Sequence, residues 1–310
     1  MKFKAAFTDR GVNILEKRFV PAFEKIGKTC HVYLTRDHVI LLHNVLNSDG
    51  VQAIAQLAKD AIFDDYRISS QNNDCIAFQV DLSLLLRALR SSVAMDGDKL
   101  QVKLVKKRAS LTEKSMPFLT FESKGYRSAI LQDVPISPPL SRADVADLQA
   151  ALDAVQDLPP TLVGLPDLVA LQALVERLKA VGEVLDVGLT QAGDLFLRVI
   201  TAFVSIGTQF RHLRVLGIRG AAAPVDDTVE GSARLQRALE QGEASVVKVN
   251  MKHFVRSLQC HLTKPDACYC GVAPGNACLL MMFQYFAPGT RLTDDSISLQ
   301  YRLPVLEQDD

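Results

Sequence analysis

Two segments of this chain repeat each other at a spacing of 169 residues, and this repeat restricts the possible folds more than any other feature. Residues 80–90 and 249–259 carry identical or similar side chains at eight of eleven positions. Asp81 and Asn250 stand where a helix N-cap belongs. Apolar residues then recur at helical spacing, namely Leu82, Leu85, Leu86 and Leu89 in the first copy and Met251, Phe254, Val255 and Leu258 in the second. The sequence therefore predicts two copies of one structural unit.

A second repeat, at a spacing of 155 residues, extends the duplication to strands. The matching positions are Val32, Leu34, Thr35, Ile40 and Leu42 against Val187, Leu189, Thr190, Leu195 and Leu197. In each copy this two-strand pattern follows a segment with helical periodicity, at residues 12–28 and 167–181. Each half is thus predicted to consist of a helix, strands, a second helix and further strands.

The remaining strand candidates are short and alternate apolar with polar residues. They are residues 76–80, 100–105, 118–123, 126–132, 195–203 and 296–303. Strands of this kind favour antiparallel sheets over a doubly wound parallel sheet. We predict an α+β fold of two pseudo-repeated domains, each with antiparallel sheet and two helices. The predicted bounds are 1–136 for the N-terminal domain, 137–160 for a connector with a short helix, and 161–310 for the C-terminal domain, with a mobile loop at 217–244.

Charge is segregated along the chain, although 35 basic and 35 acidic residues cancel overall. This balance excludes a uniformly basic nucleic-acid binder but allows a protein with one basic face. The four predicted helices hold thirteen basic and five acidic residues. Arg87 and Arg90, like Lys252 and Arg256, fall on helix faces opposite the apolar stripes. These faces are either merely solvated or in sequence-independent contact with phosphates.

Nothing in the sequence indicates catalysis. The chain lacks a phosphate-binding Gly-x-x-x-x-Gly-Lys-Ser/Thr loop, a Gly-x-Ser-x-Gly elbow and a His-Glu-x-x-His motif. Cys260, Cys268, Cys270 and Cys278 are ligand types that suit zinc, but their spacing does not match a zinc knuckle. We interpret them as apolar packing. We therefore expect no enzyme, no metal and no cofactor.

The longest uncharged segment, residues 267–290, is long enough to span a membrane. Pro274, Gly275 and Asn276 near its middle indicate two strands joined by a turn instead. The first ten residues lack the apolar core of a secretory leader, and six cysteines are too few for a disulfide scaffold. We therefore expect an intracellular protein without a membrane segment.

Five short segments resemble the sliding-clamp family, and within it the Hus subunits of the 9-1-1 DNA-damage checkpoint clamp. They are Met1-Lys2-Phe3-Lys4-Ala5, Lys28-Thr29-Cys30, Leu86-Arg87-Ala88-Leu89, Asp133-Val134-Pro135-Ile136 and Ile297-Ser298-Leu299-Gln300-Tyr301, the last followed by Pro304. None of these segments is specific alone. Their order and spacing carry the resemblance, which runs from the first residue to the last.

The resemblance implies both a fold and a role. Clamp subunits join head to tail into a closed ring through edge strands, and their helices line a hole around duplex DNA. In the checkpoint clamp a Hus subunit joins two Rad-type partners, and a clamp loader places the ring at damaged or stalled DNA in the nucleus. The ring recruits checkpoint and repair proteins, and the subunit has no catalytic site. The hole-facing residues implied here are Arg87, Arg90, Lys252, Arg256, Lys17, Arg18, Lys25, Lys28, Arg177 and Lys179.

One residue departs from the pattern, and three alternatives stay open. Pro21 falls inside the first predicted helix and should kink it or delay its start, which puts Lys17 and Arg18 in question. The first alternative is a homotrimeric replication-type clamp of the same fold. The second is a metal-dependent enzyme or zinc-stabilised module built on the four clustered cysteines. The third is a protein-interaction module whose basic helices are only solvated.

Overall fold

The residues that the computed structural model describes, 1–46, 50–93, 99–108, 115–124, 129–153, 158–218 and 231–307, fold into three antiparallel sheets and a set of helices. The strands are β1 (Lys2–Phe7), β2 (Thr29–Leu34), β3 (His38–His43), β4 (Gln52–Ala58), β5 (Phe63–Ser69), β6 (Ile76–Asp81), β7 (Gln101–Arg108), β8 (Ser115–Lys124), β9 (Ala129–Pro135), β10 (Thr161–Gly164), β11 (Val184–Thr190), β12 (Leu195–Ile200), β13 (Ser205–Phe210), β14 (Val215–Gly217), β15 (Ala244–Asn250), β16 (Ala267–Val272), β17 (Cys278–Gln284) and β18 (Ile297–Pro304). The helices are α1 (Asp9–Ile14), α2 (Val20–Ile26), α3 (Lys59–Ile62), α4 (Leu82–Val93), α5 (Arg142–Asp153), α6 (Leu168–Lys179), α7 (Gly231–Glu240) and α8 (Met251–Ser257), with a π segment at Leu15–Phe19 and 3₁₀ segments at Leu258–Thr263 and Pro274–Asn276.

The largest sheet joins the two halves of the chain. The first sheet has the order β5-β1-β7-β8-β9, the second β14-β10-β16-β17-β18-β4-β3-β2-β6, and the third β13-β12-β11-β15. In the second sheet β18 pairs with β4, so that Tyr301 lies opposite Ala53 and Leu299 opposite Ala55. A strand near the C-terminus therefore completes a sheet that begins in the N-terminal half, which the repeats did not predict.

The two helices of the 169-residue repeat form as predicted. Before α4, an Asp81 carboxylate oxygen accepts the backbone N–H of Leu84 at 3.0 Å, and before α8 the Asn250 side-chain oxygen accepts the N–H of Lys252 at 2.9 Å. All eight stripe residues are buried. The strands of the 155-residue repeat also form antiparallel pairs, β2 with β3 and β11 with β12. Their registers differ by one residue, since Val32 lies opposite Leu41 but Val187 lies opposite Leu197.

The first helix begins three residues earlier than predicted and is not broken at Pro21. The Thr8 hydroxyl caps it by accepting the N–H of Gly11 at 2.8 Å. The π segment, with its wider hydrogen-bond spacing, directly precedes α2, and Pro21 lies in the first turn of α2. Proline has no backbone N–H to donate, but Pro21 lies where the hydrogen-bond pattern already changes from π to α. The helix therefore continues to Ile26.

Four helical units form one layer on one side of the sheets. The first runs from α1 through α2, and the others are α4, α6, and α8 with its 3₁₀ extension. The first unit packs against α4 and α8, and α6 packs against α8 and the extension. One hydrophobic cluster combines these helices with all three sheets, including Phe3, Tyr301 and Val187 from the sheets and Phe23 and Phe254 from the helices. The layer and the sheets therefore share a single core.

Helix α5 lies against the opposite face of the second sheet and is the short helix expected in the connector. The Tyr33 hydroxyl donates to the side-chain oxygen of Gln149 at 3.0 Å. Val145 and Leu148 are buried in a separate cluster with sheet residues Tyr33, Ile40, Leu42, Ile54 and Ala77. The second sheet is thus covered on both faces here, by the helix layer on one and α5 on the other.

The prediction of a mobile loop over residues 217–244 is wrong for residues 231–240, which form α7. Arg234 pairs with Asp194 at 3.0 Å, and both side chains are largely buried, so this pair fixes α7 against the third sheet. None of the residues of α7 is fully buried. Residues 219–230 lie outside the described residues.

The observed strands differ from the predicted ones in their bounds, and two differences have a clear location. The strand predicted at 195–203 ends at Ile200, because Thr201 and Val204 form a turn in which the Thr201 N–H donates to the Val204 carbonyl at 2.9 Å. The strand predicted at 126–132 is observed at Ala129–Pro135, and residues 125–128 lie outside the described residues. The domain bounds at 136 and 161 stay a prediction.

We expect Leu89→Ala and Leu258→Ala to lower the free energy of unfolding by similar amounts. These residues are equivalent in the repeat and both are fully buried. A buried Leu→Ala change costs about 2–5 kcal/mol through lost transfer energy and the cavity that remains. Urea titration monitored by circular dichroism measures the loss. Arg87→Ala, on the exposed face of α4, is the control and should change stability by less than about 0.5 kcal/mol. A loss confined to one half would contradict a shared core.

Candidate nucleic-acid interface

The ten basic residues singled out in the sequence all lie on the helix layer. Nine have exposed side chains, and Arg18 is half-buried. The π segment holds Lys17 and Arg18, α2 and its C-terminal end hold Lys25 and Lys28, α4 holds Arg87 and Arg90, α6 holds Arg177 and Lys179, and α8 holds Lys252 and Arg256. The structure therefore brings residues from both halves of the chain to one layer.

Arg87 and Arg256 are equivalent positions of the repeat, and both present their guanidinium groups to solvent. Neither forms an ion pair with another residue that the structure describes. A solvated guanidinium can donate two parallel hydrogen bonds to one phosphate. These two arginines are therefore the available cations at matched places in the two halves.

Three of the other basic residues have acidic partners that the sequence did not reveal. Arg90 Nε lies 3.5 Å from a Glu16 carboxylate oxygen, and Lys252 Nζ lies 3.7 Å from Glu183. Lys179 lies 3.5 Å from Glu176 on the same helix. Pairs as exposed as these contribute at most about 1 kcal/mol, so a phosphate can compete with the carboxylates. They nevertheless lower the positive potential of the layer.

A cavity of about 320 Å³ opens in the helix layer where the two halves meet. His43 and Asn44 reach it from the end of β3, Gly50 from the start of β4, and His253 and Arg256 from α8. We call it the junction pocket. Sequence reasoning missed His43, because a histidine ending an apolar strand gives no signal of what it faces.

The histidines of the junction pocket have lowered pKa values. Burial is the main cause for both His43 and His253, and the nearby positive charge of Arg256 acts in the same direction. A hydrogen bond between His43 Nδ1 and the Thr29 carbonyl oxygen, at 3.3 Å, acts in the opposite direction. On the neighbouring strand, burial and the charge of His43 lower the pKa of His31. Folding thus disfavours the charged form of all three imidazoles.

The clustered cysteines do not form a metal site among the described residues, where no three His, Cys, Asp or Glu side chains come together as ligands. Cys260, Cys268 and Cys270 are buried and Cys278 is half-buried, all as free thiols. Burial raises the pKa of the Cys270 thiol to about 12. These thiols pack in the core and would stay protonated at neutral pH.

Two edge strands carry exposed apolar residues. Strand β9 ends the first sheet and has Leu131 at 56% exposure, and β13 ends the third sheet with Ile206 at 40%. In the turn before β13, Phe203 is 95% exposed. The edge strand β5 instead carries the charged pair Asp65 and Arg67, which is typical of an edge protected against pairing. Strands β9 and β13 are therefore the edges best suited to pair with another chain.

Comparison with known proteins identifies the family. The model of the Hus1-like protein family matches residues 1–307. The chain belongs to the Hus1-like family. The "Checkpoint protein HUS1" of Homo sapiens is 24% identical over 310 residues, which cover 99% of this chain and all of that protein. The "Checkpoint protein hus1 homolog" of Dictyostelium discoideum is 27% identical over 270 residues, covering 86% of this chain and 88% of that protein.

The fold of this Hus1-like chain is that of a sliding clamp. The solved proliferating cellular nuclear antigen of Entamoeba histolytica superposes with a TM-score of 0.61 over 98% of this chain and 99% of that one, at 13% sequence identity. The resemblance and the fold class predicted from the sequence are thus confirmed. Family and fold together favour a checkpoint clamp subunit over the homotrimeric replication-type alternative. In the described part of the chain, no helix combines the length and apolarity needed to cross a bilayer.

We expect the free energy of unfolding to fall as the pH is lowered from 7.5 to 5.5. Below about pH 6.5 the unfolded chain binds protons at these histidines, whereas the folded chain, with its lowered pKa values, binds fewer. Chemical denaturation at several pH values measures the effect. The double variant His43→Gln/His253→Gln should show a weaker dependence on pH than the parent chain. An unchanged dependence in the double variant would contradict the lowered pKa values.

Proposed function

We propose that this Hus1-like chain is one subunit of a heterotrimeric ring that encircles duplex DNA, together with two Rad-type subunits. The helix layer would face the hole and contact the DNA backbone without reading its sequence. The chain would have no catalytic activity and would act as a scaffold. The single observation that carries this proposal is the contiguous layer of four helical units, drawn from both halves, on which all ten candidate cations lie.

The chemistry of the layer suits a sliding contact rather than a tight one. Its cations are long exposed side chains on several helices, and three of them are shared with carboxylates. Contacts of this kind neutralise phosphates one at a time and are weakened by salt. The ring would therefore stay on DNA because it is closed, and each phosphate contact could be weak and rapidly exchanged.

The two apolar edges support head-to-tail assembly. Strand β9 comes from the N-terminal half and ends the first sheet, and β13 comes from the C-terminal half and ends the third sheet. An edge from one half paired with an edge from the other gives a heterologous interface, which closes into a ring when the rotation fits. Two other edges are less available. The segment after β9 lies along the edge strand β6, where the Ser137 N–H donates to the Gln79 carbonyl oxygen at 2.9 Å. On the edge strand β15, Val249 forms a β-bridge with Val305.

The names of the relatives support the cellular role. Both curated relatives are called checkpoint proteins. We extend that role to this chain: a clamp loader would place the ring at damaged or stalled DNA in the nucleus, and the ring would recruit checkpoint and repair proteins. The domain division at 1–136, 137–160 and 161–310 belongs to the same proposal, with α5 of the connector on the outer side of the ring.

Charge reversal at the two matched arginines tests the DNA contact. We expect Arg87→Glu/Arg256→Glu to shorten the retention of a loaded ring on closed circular DNA. Retention should also become less sensitive to salt, because about one counterion fewer is released on binding for each arginine lost. Release from circular DNA over a range of salt concentrations measures both effects. Arg142→Glu, on α5 at the other face of the sheet, is the matched control. Equal retention by the double variant and the control would favour helices that are only solvated.

A charge at the β13 edge tests the ring. We expect Ile206→Glu to prevent assembly with the partner subunits, because a carboxylate would be buried at the interface without a partner. Native mass spectrometry of the co-expressed complex distinguishes a three-chain ring from smaller species. Leu292→Glu, at a residue 73% exposed in a turn away from both edges, should assemble normally. A complete ring containing Ile206→Glu would show that β13 is not an interface strand.

A further inference from the structure

The junction pocket has the construction of an anion site. It lies between the C-terminal end of α2, the end of β3, the start of β4 and the exposed face of α8. Two imidazoles and one guanidinium line it, and the lining residues that the structure describes include no carboxylate. Arg256 comes from one half of the chain and His43 from the other. A group bound there would therefore contact both halves.

Two glycines border the imidazole rings, and one of them leaves the space that a ring occupies. A Cβ atom at Gly27 would lie 2.1 Å from Cε1 of His43, so any other residue would displace that ring. Gly50 has a φ of +97°, and a Cβ there would lie 3.8 Å from Nε2 of His253. The backbone at Gly27 is thus shaped around the His43 ring, whereas Gly50 is favoured by its left-handed φ.

The hydrogen-bond partners leave donors for a ligand. Nδ1 of His43 is engaged by the Thr29 carbonyl oxygen, so Nε2 is the nitrogen that remains for a ligand. Nδ1 of His253 is buried and has no hydrogen-bond partner among the described residues. The Arg256 guanidinium is likewise without an ion-pair partner in the described part of the chain. Once protonated, both imidazoles become donors only, as the guanidinium already is.

We propose that the junction pocket binds one phosphate group of the DNA backbone, held by Arg256 and by His43 and His253 in their protonated forms. This inference rests on the proposed function and specifies one of the contacts between the chain and the DNA backbone. The DNA backbone is the favoured source of the phosphate because Arg256 belongs to the helix layer and has Lys25, Lys28 and Lys252 on the same layer. Those side chains could contact neighbouring phosphates of the same duplex.

Binding would be coupled to protonation. Burial and Arg256 hold the pKa values of both histidines low in the free chain, and a phosphate would raise them. Other charged groups nearby are His31 beside His43, Lys25 and Lys28 at the end of α2, Asp81 close to Lys28, and Lys252 on α8. Asp49 precedes Gly50 in the sequence and lies outside the described residues. The coupling of binding to protonation should therefore be measured at the two histidines themselves.

The first test is a histidine titration by NMR on the full chain, with and without saturating inorganic phosphate. We expect phosphate to raise the pKa of His43 and His253. Arg256→Gln should abolish the effect, and Arg142→Gln, an equal change of charge on α5, should preserve it. Unchanged titration of His43 and His253 with phosphate would overturn the inference, as would a phosphate effect that survives Arg256→Gln.

The second test separates DNA from free phosphate and uses the assembled ring on closed circular DNA. We expect the salt sensitivity of retention to steepen as the pH falls from 8 to 6, and His43→Gln/His253→Gln to remove this steepening. A histidine response to inorganic phosphate without any pH effect on retention would overturn the DNA assignment. Retention that depends on Arg87 and Arg256 but not on the histidines would leave the proposed function standing and defeat the pocket. Phosphate binding by a chain that forms no ring would defeat the proposed function alone.

Discussion

The pairing of β18 with β4 is the interaction on which the rest of the structure depends. It fuses strands from both halves into one nine-stranded sheet, and so fixes which way each half faces. Large side chains of β18 lie opposite small ones of β4, with Tyr301 against Ala53, and the Tyr301 ring packs edge-on against Phe283 at 5.3 Å between centroids. Because this sheet is continuous, the helices of both halves lie on the same side. A twist at this seam would separate Arg87 from its counterpart Arg256.

The electrostatic organisation follows from that geometry rather than from net charge. A chain with 35 residues of each sign has no overall attraction for DNA. Placing four helical units together concentrates cations on one side of the chain. The carboxylates of Glu16 and Glu183 pair with two of these cations and so reduce the positive potential. Weak, interchangeable contacts let a closed ring move along a duplex, whereas a uniformly strong basic surface would hold it in place. The half-buried imidazoles of His43 and His253 have lowered pKa values, so protonation or a bound anion would add positive charge to this layer.

The sequence predicted those parts of the fold that are encoded by local periodicity. Leu82, Leu86 and their counterparts set the two repeated helices, and Asp81 and Asn250 set where they begin. The seam between β18 and β4 was not predictable, because the match of Tyr301 to Ala53 depends on two residues far apart in the chain. Pro21 suggested a kink or a late start of the first helix, yet the helix starts at Asp9 and a π segment directly precedes the turn that holds Pro21. For the candidate surface, helical periodicity predicted which faces of the helices are exposed. It predicted neither the acidic partners of the basic residues nor the place of His43, because these depend on tertiary contacts.

The unpaired edges have a consequence for the chain before it meets its partners. Leu131 and Ile206 are exposed apolar groups on edge strands that have no neighbouring strand on one side among the described residues, and the exposed Phe203 lies in the turn before β13. Such an edge recruits any extended chain, including another copy of itself. The solubility of the free subunit would then be set by mass action, rising with the supply of proper neighbours. Surplus copies would be the first to aggregate or to be degraded, so the composition of the ring would also regulate the abundance of its parts.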